Sequence, residues 1–133
     1  MKHGTNCIIW HPEKSVLLDF EMGNDCVIHA PVWIGNNVRI GNRCKVQAFA
    51  FLPDGVTLGD DVFVGPGAKF TNDRYPPSGG NWQQTIVEDG VSIGANATIL
   101  SGILIGKGSR IGAGAMVTKN VKPGSKIYGN PAR

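Results

Sequence analysis

Large apolar residues recur at every sixth position of this chain. From Ile28 the series runs Ile34, Ile40, Val46, Leu52, Leu58, Val64 and Phe70; it restarts at Val87 and continues through Ile93, Ile99, Ile105, Ile111 and Val117. All fourteen positions are apolar and large in a chain that is 41% apolar, which chance placement does not produce. A second register lies four residues after each of these. It reads Val32, Val38, Cys44, Ala50, Val56, Val62 and Ala68, then Val91, Ala97, Ile103, Ser109, Ala115 and Val121, small or β-branched in nearly every place. Glycine follows the large residue at Gly35, Gly41, Gly59, Gly65, Gly94, Gly106 and Gly112, often with Asn or Asp close behind. Gly and Asn tolerate the positive φ of a sharp corner, where a β-branched residue is strained.

An α-helix would smear a six-residue period around its circumference, and plain strand alternation would need apolar residues where Asn36, Asn42 and Asp60 stand. Three short strands per coil, joined by corners, accommodate both registers. The pattern therefore predicts an all-β parallel β-helix. Its coils stack at strand spacing, about 4.8 Å, around a column of Ile, Val and Leu.

The phase breaks once, because Val87 follows Phe70 by 17 residues instead of 18. The intervening Thr71–Gln84 segment keeps neither register and carries Pro76, Pro77, Gly79 and Gly80, so a loop over about 74–84 is expelled from the stack. Upstream the register runs through Met22 and Val16, while residues 1–15 carry no clear pattern. The expected organisation is one domain over 1–133, with regular coils at about 22–73 and 85–122 and a C-terminal extension at 123–133 that leaves the repeat. Pro131 excludes a central strand there.

Composition narrows the picture. Gly 19 and Pro 8 in 133 residues suit many tight turns and argue against a helical bundle. The formal charge of +3 comes from scattered Lys and Arg, which suits an anionic small molecule and not a nucleic acid. No apolar run approaches the roughly 18 residues of a membrane span. Cys7, Cys26 and Cys44 fit neither a disulfide framework nor a zinc site, so a reducing, cytoplasmic setting is expected. His3, His11 and His29 are the only histidines; their placement does not suggest converging zinc ligands, and no metal is expected. Gly112-Ala113-Gly114 superficially suggests a dinucleotide fingerprint, but the hexad accounts for these glycines and no crossover helix surrounds them.

The hexads, the expelled loop, Ile111-Gly112-Ala113-Gly114-Ala115-Met116-Val117 and Gly129-Asn130-Pro131-Ala132-Arg133 resemble the hexapeptide-repeat acyltransferases of left-handed β-helix fold. Phe70-Thr71-Asn72-Asp73 before a Pro-bearing loop, with Ile93-Gly94-Ala95-Asn96-Ala97-Thr98-Ile99, is most similar to the nucleotide-linked amino-sugar N-acetyltransferases within that superfamily. The resemblance covers roughly residues 22–133. It implies a left-handed coil and a homotrimer with active sites in the clefts between prisms. It also implies acetyl-CoA lying along the later coils, and a loop at 74–84 that reaches toward a neighbouring subunit. Many sugar and xenobiotic O-acetyltransferases of this fold keep a catalytic His in the segment matching Asn72-Asp73; this chain has none there.

On that resemblance Asn72 and Asp73 are the candidate catalytic residues. An amide oxygen accepts an N–H and aims an amine lone pair, and in the resembling enzymes the matching Asn holds the sugar amine. Asp73 is the one nearby carboxylate able to act as a base. The alternative is that both merely cap the loop. Gln47 and Phe51, about one coil before Asn72, would border a sugar pocket or else belong to the surface or a trimer interface. Trp82 would stack on a base or sugar face, or pin the loop to the helix. Ala95 and Ala113 would let a pantetheine arm approach the backbone N–H groups. Lys119 and Arg133, with Lys122 and Lys126, would meet the CoA phosphates or form a solvated basic tail. The resulting expectation is acetyl-CoA-dependent N-acylation of an amino sugar. O-acetylation of a sugar or xenobiotic, and a non-catalytic β-helix scaffold, stand as rivals.

Overall fold

A computed structural model describes residues 1–80 and 82–133. Its strands are two residues long, and all pair in parallel into three sheets of six, seven and six strands. The first face stacks Lys2–His3, Glu21–Met22, Arg39–Ile40, Thr57–Leu58, Ile86–Val87 and Leu104–Ile105. The second stacks Ile8–Ile9, Val27–Ile28, Lys45–Val46, Phe63–Val64, Ser92–Ile93, Arg110–Ile111 and Lys126–Ile127. The third stacks Val16–Leu17, Trp33–Ile34, Phe51–Leu52, Lys69–Phe70, Thr98–Ile99 and Met116–Val117. Together they wind about seven turns of a left-handed β-helix, against the usual right-handed crossover. No helix among the described residues is long and apolar enough to cross a membrane.

Both apolar registers point inward. All fourteen large residues are buried, as is every member of the second register from Val32 to Val121. In a two-residue strand one side chain faces the column and the other faces out. The pairs Arg39–Ile40, Lys45–Val46 and Arg110–Ile111 show this, with the basic residue exposed and its neighbour buried. Burial of the column at about 25 cal/mol per Å² of apolar surface is the main stabilising term.

The glycines after each large residue act differently from the sequence expectation. The left-handed φ falls two places later, at Asn37, Arg43, Asp61, Asn96 and Gly114 among others. The glycine itself is required because the next coil passes directly over it. A Cβ on Gly94 would lie 2.5 Å from the Ala113 backbone nitrogen.

Pairing also runs further at both ends than the hexads predict. Lys2–His3 and Ile8–Ile9 pair with Glu21–Met22 and Val27–Ile28, on a rung of 19 residues that the six-residue period does not register. Lys126–Ile127 re-enters the stack against Arg110–Ile111, because Ser125 and Ile127 supply the carbonyls that Arg110 and Gly112 need. The chain then folds back, Ala132 N–H donating to the Met116 carbonyl (2.9 Å).

Candidate active site

The corner between the first and second faces is closed by a ladder of side chains. Asn24, Asn42, Asp60 and Asp89 each place an Oδ1 on the backbone N–H of the preceding coil, at 2.8–2.9 Å from Thr5, Asn24, Asn42 and Asp60 respectively. The corner between the third and first faces begins in the same way, with Asn36 accepting from Asp19 N–H (2.9 Å) and Asp54 from Asn36 N–H (2.8 Å). Register puts Asn72 on the next rung, since Lys69 pairs with Phe51. Asn72 does not continue the ladder. Its half-buried amide makes no hydrogen bond among the described residues, because the chain leaves the stack here.

The expelled loop is held at its base. Thr71 Oγ1 accepts the Ser101 N–H (3.1 Å) and the buried Thr85 Oγ1 accepts the Gly102 N–H (3.2 Å). Arg74 reaches along the corner and donates to the carbonyls of Ser101 (3.1 Å) and Thr118 (2.8 Å), binding the loop to the two following coils. Sequence reasoning passed over Arg74. Its acceptors lie 27 and 44 residues away and are backbone atoms, which leave no mark in the sequence. Asp73 turns into the loop, where Oδ2 accepts the Ser78 N–H (2.8 Å). That bond holds its carboxyl below the usual carboxylate range despite some desolvation, which weakens it as a base. Among the described residues its Oδ1 is buried and makes no hydrogen bond. Asn81, within the loop, lies outside the described residues.

The returning limb of the loop walls a groove of about 710 Å³ on the first face, lined by Asp19, Glu21, Arg39, Asp54, Thr57 and Trp82 among others. Trp82 is 57% exposed; Gln84 Nε2 ties this limb down through Thr57 Oγ1 (3.1 Å). Phe51 lies elsewhere. It is half-buried on the third face, 6.1 Å from the Trp33 ring, in an apolar groove of about 370 Å³ shared with Phe49 and Lys69. Gln47 stands at the corner entering that face, with its N–H on the Val64 carbonyl (3.0 Å). Within one prism, Trp82 and Phe51 therefore do not share a groove.

The corner between the second and third faces has no ladder. Where the other corners carry the ladder residues Asn24, Asn42, Asp60 and Asp89 or Asn36 and Asp54, this one carries Pro66, Ala95 and Ala113. Backbone bonds still link the coils, as from Gly114 N–H to the Ala95 carbonyl (2.8 Å). The N–H groups of Ala95 and Ala113 themselves have no acceptor among the described residues. Unsatisfied donors at the surface of a rigid corner form a site for an amide-bearing or anionic ligand. Lys119, on the rung after Ser101, and Arg133, whose backbone pairs with Tyr128, are exposed on the last coils. Among the described residues no group of three or more His, Cys, Asp or Glu is placed to hold a metal.

The bacterial transferase hexapeptide model, of six repeats, matches residues 37–72 and 84–119. A 2,3,4,5-tetrahydropyridine-2,6-dicarboxylate N-acetyltransferase of Staphylococcus aureus is 46% identical over 77 residues, covering 58% of this chain and 31% of that protein. The bifunctional protein GlmU of Rubrobacter xylanophilus is 35% identical over 97 residues, covering 73% of this chain and 20% of its own length. The chain thus spans a third or less of these relatives. Among solved structures, AntD, an N-acyltransferase from Bacillus cereus in complex with dTDP and 3-hydroxybutyryl-CoA, has the same fold. Its TM-score is 0.88 at 21% identity, covering 99% of this chain and 80% of that one. The acetyltransferase domain of PglB from Neisseria gonorrhoeae, in complex with acetyl coenzyme A, matches at TM-score 0.74 and 19% identity, over 97% of this chain and 54% of that one.

Proposed function

Since this chain belongs to the bacterial transferase hexapeptide family, we propose that it is an acyltransferase that moves an acetyl group from acetyl-CoA to the amine of a sugar. The observation that carries this reading is the release of Asn72 from the corner ladder. A side chain of ladder type, on a ladder rung, stands with its amide uncommitted among the described residues, at the root of the expelled loop. A scaffold gains nothing from that break. An acyl acceptor gains an oxygen that takes one amine N–H and turns the nitrogen lone pair toward the thioester carbonyl.

In this mechanism the open N–H groups of Ala95 and Ala113 receive the amide carbonyls of the pantetheine arm, and Lys119 and Arg133 receive the phosphates. The neutral amine, held by Asn72 Oδ1, attacks the thioester carbon. The C–S bond breaks, and the amine proton passes to solvent or to the departing sulfur. Asp73 shapes the loop around Asn72, since its lowered pKa suits it poorly for proton abstraction. O-acylation is disfavoured because a hydroxyl needs a base of histidine type, and His3, His11 and His29 all precede the loop by a coil or more.

A sugar amine is favoured over a dicarboxylate such as the S. aureus relative's name gives, because Asp19, Glu21 and Asp54 face the groove beside Trp82, set against Arg39 and the Met1 ammonium that pairs with Asp19 (3.2 Å). Carboxylates and an aromatic face together suit sugar hydroxyls and ring C–H groups. A nucleotide carried by the sugar is supported by the fold likeness to AntD with dTDP. Phe51 and Gln47 contribute to the pocket through assembly of three prisms, with the third face of one chain against its neighbour. Incubation of the protein with acetyl-CoA and a panel of free and nucleotide-linked amino sugars, followed by mass spectrometry, should show gain of one acetyl group. Acetylation absent throughout the panel, with CoA giving no thermal stabilisation, would reject the reading.

A further inference from the structure

The three cysteines form a stack that acyl transfer does not use. Cys7, Cys26 and Cys44 immediately precede the second-face strands Ile8–Ile9, Val27–Ile28 and Lys45–Val46, which pair in register, so the thiols occupy one column on successive coils. Each donates its S–H to a glycine carbonyl of the following coil: Cys7 to Gly23 (3.1 Å), Cys26 to Gly41 (3.1 Å) and Cys44 to Gly59 (3.0 Å). Further along the column stand Val62, Val91 and Ser109, the last bonding the Lys122 carbonyl (2.9 Å) in the same manner. Packing in this column thus accepts valine or serine, and thiols are confined to the first three coils.

Adjacent coils lie about 4.8 Å apart, inside the Cα separation that a disulfide spans. Access differs down the stack. Cys7 is half-buried, whereas Cys26 and Cys44 are buried. We propose that Cys7 and Cys26 form a peroxide-responsive dithiol that closes to a disulfide joining the first two coils, while Cys44 remains a thiol.

The chemistry balances in two steps. The Cys7 thiolate attacks one peroxide oxygen, the O–O bond breaks, and hydroxide leaves a sulfenic acid on Cys7. The Cys26 thiolate then attacks Cys7 Sγ, the S–O bond breaks, and the second hydroxide takes up a proton to leave as water. The two sulfurs together lose two electrons and the peroxide gains them. The neighbouring Cys44 thiol favours ionisation of Cys26 against the opposing effect of burial, so Cys26, whose S–H rests on the Gly41 carbonyl, gives up that proton as it attacks. The bond with Cys26, with burial, pushes the Cys44 thiol up, which leaves it protonated and slow to exchange into the new disulfide.

The test is independent of acyl transfer. The full chain is treated with hydrogen peroxide, alkylated, and mapped by trypsin without reduction. Cleavage at Lys14 separates Cys7 from Cys26, and cleavage at Arg39 and Arg43 separates Cys26 from Cys44. A peptide joining Cys7 to Cys26, short by two hydrogens, is expected in wild type and in Cys44→Ser, and is absent in Cys7→Ser. Cys44→Val provides a second control, since Val62 holds the next rung. The oxidised wild type should melt several degrees higher than the reduced form, and dithiothreitol should reverse the shift. Cys7 carried to sulfinic acid without a cross-link, a bond mapped between Cys26 and Cys44, or disulfide-linked dimers through Cys7 would each overturn the proposal.

Discussion

The corner between the first and second faces and the corner between the second and third faces are built from the same hexad, yet they present opposite surfaces. The first is closed on itself over its early coils, since Asn24, Asn42, Asp60 and Asp89 cover the corner N–H groups of Thr5, Asn24, Asn42 and Asp60, before Lys107 takes the next rung. The second carries Pro66, Ala95 and Ala113 in the equivalent places and leaves the later N–H groups open. One residue per turn thus decides whether the backbone satisfies itself or offers donors to a ligand. The third corner contains both behaviours in sequence, with a ladder through Asn36 and Asp54 and then release at Asn72.

The contrast can be tested by mutation. The largest effect is expected at the released rung. Asn72→Ala should lower kcat/KM by about 100-fold, the size usual for loss of one orienting hydrogen-bonding group, with an unchanged melting temperature because no ladder bond is lost. A simultaneous fall in stability would mean that Asn72 is a corner cap after all.

Filling the open corner should move two quantities in opposite directions. Ala113→Asn places a ladder oxygen over the Ala95 N–H, so stability should rise by about 0.5–1 kcal/mol in chemical denaturation. The KM for acetyl-CoA should rise about tenfold, the equivalent of roughly 1.4 kcal/mol of lost binding. Tighter CoA binding in this variant would refute the assignment of that corner to the pantetheine arm.

Opening the closed corner is the converse experiment. Asp60→Ala strips the acceptor from Asn42 N–H and should destabilise by about 1 kcal/mol, leaving the acetyl-CoA KM unaltered. The smallest effect belongs to the surface beside that ladder, where Arg43 grips Asp61 at 2.8 Å and the guanidinium holds the Asp61 carboxyl below its usual value. A folded-state pKa below the unfolded one contributes stability above about pH 4, and this is lost as pH falls through the folded value. Asp61→Asn should therefore narrow the stability gap between neutral and acid pH, slightly and less so in high salt.

Much of this was legible in the chain. The two apolar registers named the residues of the column, and each of them is buried. The missing residue between Phe70 and Val87 located the loop. Corner chemistry was less legible. Glycine appeared to supply the left-handed φ, whereas Asn96 and Gly114 supply it and Gly94 clears the path of the following coil. The first coil escaped the pattern because its rung is 19 residues long. Arg74 escaped because its partners are carbonyls of other coils.

What the sequence determined by itself was periodic: the column, the number of faces and the point where the stack is interrupted. These follow from side-chain hydrophobicity, which acts residue by residue and repeats with the period. What only the tertiary structure decided was which polar groups are satisfied and which are left open. A hydrogen bond across coils joins residues 18 apart before the loop and 29 apart across it, as in Asn42 to Asp60 and Asp60 to Asp89. Whether Asn72 is one more cap or an open amide depends on where the backbone turns away from its neighbour, and that is set by the fold around it.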